Sequence, residues 1–198
     1  MRLGPANLDC ILSKIPSCSN LKSLDLSNNC LGLEAVQQLT KVLNPNKTVN
    51  ELSISNTNLT PEGIRLICEA LEINKTFESL YISNNNLGSE GIRHICELFK
   101  ISKTIVILDI SNTNLGPEGI GLICEVLETN RTPECLILSN NEYDSASAKL
   151  LYEALEKNVS LKLLKISKKD KIYTEFGERF EDIQQRKSFL LLFDKSQI

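Results

Sequence analysis

The chain has 198 residues, 41% of them hydrophobic, and its 22 basic and 25 acidic side chains leave a formal charge of -3. That length builds one good core and is short for two. So even a charge balance lacks the electrostatic footprint that nucleic acid or an acidic membrane surface requires.

From the N-terminus, Met1 to Leu8 shows no basic stretch leading into an apolar run, so no secretory signal is expected. No segment approaches the ~20 apolar residues of a spanning helix. With seven cysteines, an odd number that cannot pair completely within one chain, the expectation is a cytoplasmic protein with free thiols. Leu3-Gly4 is in phase with Leu31-Gly32, and Leu8, Ile11 and Ile15 fall in the columns of Val36, Leu39 and Leu43. Residues 1–20 therefore read as a partial repeat, begun midway and without a separate cap.

From Leu21 the pattern L-x-x-L-x-L-x-x-N/T-x-L recurs at Val49, Phe77, Ile105, Pro133 and, degenerately, Leu161, at steps of 28 residues. The pairs Leu24/Leu26, Leu52/Ile54, Leu80/Ile82, Leu108/Ile110, Leu136/Leu138 and Leu164/Ile166 carry the period-two signature of a strand with one buried face. Asn29, Asn85 and Asn141, with Thr57 and Thr113 between them, sit where the chain leaves each strand, and a side-chain amide there can bond the neighbouring coil. A helix follows each strand: Pro61 and Pro117 suit a first turn, and Glu34, Glu62, Glu90 and Glu118 stand at the positive end of the helix dipole. Its buried stripe is Val36/Leu39/Leu43, then Ile64/Ile67/Leu71, Ile92/Ile95/Phe99, Ile120/Ile123/Leu127 and Ala148/Leu151/Leu155. Asn74, Asn130 and Asn158 offer left-handed helix exits.

Beyond six repeats in residues 21–169, residues 170–198 read as a degenerate capping repeat, with Phe176, Phe180 and Ile183 in helix columns and a strand-prone run, Ser188 to Phe193, 28 residues after the Leu161 coil. That run must be buried, as a terminal strand or against another molecule.

The 28-residue unit, with its SNN/SNT-x-L turn, PEGI-type helix start and NKT-type return, resembles the ribonuclease-inhibitor-like class of leucine-rich repeats. The resemblance implies one α/β domain: a right-handed solenoid or horseshoe with a parallel β-sheet on the concave face and α-helices on the convex face. The class includes ribonuclease inhibitor, the activator of the Ran GTPase, sensing regions of immune receptors, ciliary scaffolds and bacterial effectors. Alternating Asn and Thr is similar to the two repeat types of ribonuclease inhibitor, while the uniform repeat length departs from it.

In that class the side chains between the buried leucines line the concave face. Here they form two columns: Ser23, Glu51, Ser79, Ile107, Cys135 and Leu163, and Asp25, Ser53, Tyr81, Asp109, Ile137 and Lys165. The first half is polar or acidic. The second half is apolar through Ile107, Cys135, Ile137 and Leu163, with Val106 beside them, and reads either as a partner site or as a surface covered by the tail.

Other clusters read more plainly. Cys68, Cys96 and Cys124 share one column in I-C-E contexts and are better explained as small buried hydrophobes than as metal ligands, since no C-x-x-C pair is present. His94 has no partner nucleophile, and no phosphate loop or carboxylate dyad occurs, so neither catalysis nor a cofactor is expected. The five N-x-S/T triplets read as helix-exit and turn chemistry. The lysines at 162, 165, 168, 169 and 171 read as guards of a sheet edge, or as a patch for an acidic partner.

The sequence thus points to a non-catalytic module, a scaffold, adaptor or regulatory binding protein, that holds another protein on its concave face, with no nucleic acid or membrane as partner. Two alternatives stay open: a regulator of a small GTPase like the Ran activator, implied by resemblance alone, and self-association through the C-terminal edge.

Overall fold

Alternation and helical stripe fold as their periods require. The computed structural model describes residues 5–167 and 190–194. In chain order these form α1 (Pro5–Lys14), a single 3-10 turn (Ile15–Ser17), β1 (Ser23–Asp25), α2 (Leu33–Leu43), β2 (Glu51–Ser53), α3 (Pro61–Asn74), β3 (Ser79–Tyr81), α4 (Gly88–Ile101), β4 (Ile107–Asp109), α5 (Gly116–Thr129), β5 (Cys135–Ile137), α6 (Ser145–Lys157), β6 (Leu163–Ser167) and β7 (Leu190–Asp194).

The seven strands make one sheet in sequence order, all parallel. Each crossover from strand to parallel strand runs through one helix from α2 to α6, and winding these crossovers in the usual right-handed sense gives the α/β solenoid. Register from β1 to β6 advances by the expected repeat length: Leu24, Leu52, Leu80, Leu108, Leu136 and Leu164 are successive partners. These residues and the second leucine or isoleucine of each strand are buried. Opposite them lies the expected helix stripe, Val36/Leu39/Leu43 through Ala148/Leu151/Leu155, with every member at 3% exposure or less. Hiding one such aliphatic side chain from water is worth about 1.5–3 kcal/mol, and stacking repeats it at every coil.

Polar residues lock the coils at two levels. Just after the strands, the Asn85 amide donates to Ile54 O of the preceding coil and to Ile82 O of its own, while its carbonyl accepts from Thr57 N and Leu59 N. Asn141 repeats this against Ile110, Thr113 and Leu115. Thr57 and Thr113 instead donate their hydroxyls to Ile54 O and Ile110 O within their own coils. Where the following coil carries Thr, a backbone carbonyl takes over the role of the amide: Leu31 N donates to Thr57 O and Leu87 N to Thr113 O. Alternating Asn and Thr are therefore two kinds of junction, one made by side chain and one by main chain.

The second level corrects an expectation. Asn130 and Asn158 follow their helices in extended conformation and Asn74 is the last residue of α3, so none of them is a left-handed exit. Each amide reaches back to the end of the preceding helix, Asn74 to Leu43 O, Asn130 to Phe99 O and Asn158 to Leu127 O. Their carbonyls cap the next turn at Thr76 N, Thr132 N and Ser160 N. Left-handed backbone falls on Lys75, on the asparagines that follow the strands, Asn28, Asn56, Asn58, Asn84, Asn112, Asn114 and Asn140, and on Gly88 and Gly116.

Both ends depart from the repeat register. Leu8 and Leu12 of α1 and Ile15 of the 3-10 turn are buried and Ile11 is 38% exposed, so the aligned column slips by one residue. Among the described residues α1 packs against α2, and Leu8 and Leu12 join the core. At the other end β7 is the terminal strand, but its register is one residue short of the expected step: Leu164 pairs with Leu191 rather than Leu192. A one-residue shift exchanges the two faces of a strand, which accounts for Leu192 being 38% exposed. Since β7 covers β6, Lys165 does not guard an edge; Lys168, Lys169, Lys171, Phe176, Phe180 and Ile183 lie outside the described residues.

Candidate functional site

The two columns between the buried leucines form the floor of the concave face. In the first, Ser23, Glu51, Ser79, Ile107, Cys135, Leu163 and Leu190 are register partners in turn. In the second the order is Asp25, Ser53, Tyr81, Asp109, Ile137, Lys165 and Leu192. Ser23 and Asp25 are exposed, and Glu51, Ser53, Tyr81, Ile107, Asp109, Cys135, Ile137, Leu163 and Lys165 are half-buried. Ser79 is buried, contrary to expectation.

The floor divides as the sequence suggested. Over β1 and β2 lie Asp25 and Glu51, and Asp109 follows on β4. Asp25 takes one hydrogen bond, from Ser27 N, and Asp109 takes two, from Ser111 N and Oγ. No ion pair among the described residues involves any of the three carboxylates; the pairs all lie on the helices or at the strand entrance, as in Arg93–Glu118, Lys100–Glu125, Lys157–Glu128 and Lys162–Glu134. Tyr81 stands between the acidic and apolar parts. Burial, and then the charge of Glu51, push its phenol above the ordinary range, so it remains a neutral donor. Burial does the same to the Cys135 thiol, with Asp109 adding to it.

From β4 onward Ile107, Cys135 and Leu163 in the first column and Ile137 in the second form a half-buried apolar surface, and Leu192 lies beyond Lys165, which interrupts the second column. Reading the sequence missed Leu192. Only the register of β7 assigns it to this face, and an unbroken Leu-Leu-Leu run carries no alternation from which to choose.

Elsewhere the chemistry is structural. Cys68, Cys96 and Cys124 are buried, and desolvation pushes the Cys96 and Cys124 thiols up to about 12, far from a reactive thiolate. No group of His, Cys, Asp and Glu among the described residues could hold a metal ion. His94 Nδ1 lies 3.4 Å from Glu97 Oε2 on the helix side. A groove of about 350 Å³ opens between α3 and α4, lined by Leu71, Leu98 and Ile101 among others, where Ser102 occupies the column of the reaching asparagines. No described helix is long and apolar enough to cross a membrane.

Four copies of the family model described as "Leucine Rich repeat" match residues 17–39, 46–68, 74–96 and 102–124. The chain is a leucine-rich-repeat protein. Each matched stretch runs from a strand into the following helix. Among solved structures, this leucine-rich-repeat protein is similar to actin-binding site 2 of leiomodin-1, with 19% identity, TM-score 0.66, and 92% of this chain and 99% of that one covered. It is also similar to the C-terminal domain of tropomodulin from Caenorhabditis elegans, with 16% identity, TM-score 0.62, and 89% and 99% covered. A third is the leucine-rich-repeat-containing protein LegL7 of Legionella pneumophila, with 16% identity, TM-score 0.54, and 96% and 70% covered. At those identities the likeness is one of fold. No curated protein matches the sequence.

Proposed function

We propose that this leucine-rich-repeat protein is a non-catalytic binding module of the cytoplasm, a scaffold, adaptor or regulatory partner, that grips another protein on its concave face through Asp25, Glu51, Ser53, Tyr81, Ile107, Asp109, Cys135, Ile137, Leu163 and Lys165. The observation that carries the reading is the apolar run of Ile107, Cys135, Ile137 and Leu163 over β4 to β6 beside carboxylates that form no ion pair among the described residues. Apolar surface of that kind is a reservoir of binding free energy, and the sheet holds it in place before any partner arrives, so little ordering entropy is lost on association. That a structural neighbour is titled an actin-binding site accords with a protein partner as a class. Ser79, being buried, is left out of the contact surface.

Pull-downs from the native source with wild type and with Tyr81→Ala/Asp109→Lys test the reading, with actin probed in the eluates. A partner retained by wild type and lost by the double variant is expected. Equal recovery of every partner would remove the concave face from the account.

A further inference from the structure

The concave floor also constrains the shape and charge of what it holds, an inference that rests on the reading just proposed. Neighbouring strands in a sheet lie about 4.8 Å apart. An α-helix laid across them brings one side chain to the same side every turn, about 5.4 Å. An extended segment returns a side chain to one face only every ~6.7 Å and drifts out of step by the second strand. A helix therefore stays nearer to step with these strands than an extended segment does, drifting by about 0.6 Å per strand against about 1.9 Å.

The charge along the floor sets its composition. Glu51 and Asp25 lie on adjacent strands at one end, Asp109 stands at the middle, and none has a cation beside it among the described residues. At the other end Ile107, Cys135, Ile137, Leu163 and Leu192 carry the surface from β4 to β7, with the charged Lys165 between Ile137 and Leu192. We infer that the floor takes an amphipathic cationic helix of a partner protein, with its apolar turns over β4 to β7 and its Lys or Arg turns over β1 to β4. The apolar half amounts to about three turns and the cationic half to about the same, from the strand spacing and helix pitch. Tyr81, at the change between halves, presents a ring to the apolar turns and a hydroxyl to the polar ones.

The test uses the full chain and a labelled, side-chain-stapled peptide of about six turns, with Leu once per turn along one half and Lys once per turn along the other, followed by fluorescence anisotropy. The peptide is expected to bind at least ten-fold more tightly than a scrambled peptide and than one with Glu in place of Lys, and to weaken as salt rises. Glu51→Lys/Asp109→Lys should lose at least ten-fold for the cationic peptide and gain for the Glu peptide, a reversal that a merely misfolded variant cannot produce. Equal binding of scrambled and patterned peptides overturns the helix assignment. So does failure of the patterned peptide while the floor variants still lose their native partner, an outcome that leaves the concave-face reading standing. If the peptide fails and the floor variants also retain the native partner, both fall.

Discussion

Asn85 satisfies five main-chain groups in two coils while only 1% exposed, and its side chain cannot be replaced by water without opening the stack. Asn85→Ala is expected to cost about 2–4 kcal/mol, because buried donors and acceptors left unmade cost more than a made bond gains. Asn85→Thr should cost less, since a hydroxyl can still reach Ile82 O as Thr57 reaches Ile54 O. Urea melts measure both, and equal losses for the two variants would contradict the junction described above. The buried cysteines make a second residue-level statement. Burial raises the Cys96 and Cys124 thiols from 9.0 to about 12, so the unfolded chain releases these protons first as pH rises. Stability is thus fully present below pH 9 and declines from about 9 toward 12. Serine at both positions should flatten that decline in melts taken across the range; an unchanged slope would place its origin elsewhere.

Among the elements, the helices show how one substitution takes opposite signs. Gly91, in the first turn of α4, would bring an added Cβ to 2.8 Å from Leu87 Cβ and 3.3 Å from Ile64 Cγ2 of the coil before. Gly121, in the middle of α5, has open space around the same position. Gly91→Ala is expected to destabilise by about 1–3 kcal/mol through overpacking. Gly121→Ala should stabilise by about 0.5–1 kcal/mol, because alanine gives up less backbone freedom in a helix. Thermal melts of the two variants should move in opposite directions, and a common sign would mean that the close approach of helix to strand exit does not govern this column. The exposed ion pairs between neighbouring helices, such as Arg93–Glu118 at 2.6 Å, add little beside this packing.

For the whole molecule, the sequence was most legible where one repeat copies another. The strand leucines, the helix stripe and the buried cysteines keep one environment from coil to coil, so period alone assigns them. Legibility failed where one residue type serves two purposes or where no period exists. An asparagine at 74, 130 or 158 satisfies a left-handed exit and a reaching amide equally well on paper, and the distinction lies in the distance to the preceding coil. Ile11 reads as core by alignment, yet in α1 it is Leu12, one residue on, that is buried. The apolar run at 190–193 has the same character at odd and even positions, so nothing in it announces which leucine reaches the concave face.

The claim on which the functional account turns is that partners meet the strand side and not the helix side. Photo-crosslinking decides it: benzoylphenylalanine in place of Ile137 on the concave floor, or in place of Leu150, which is 48% exposed on α6, irradiated in extract of the native source. The account expects a discrete higher-mass adduct from position 137 and none from position 150. An adduct from 150 with none from 137 would move the binding surface to the helices and contradict it.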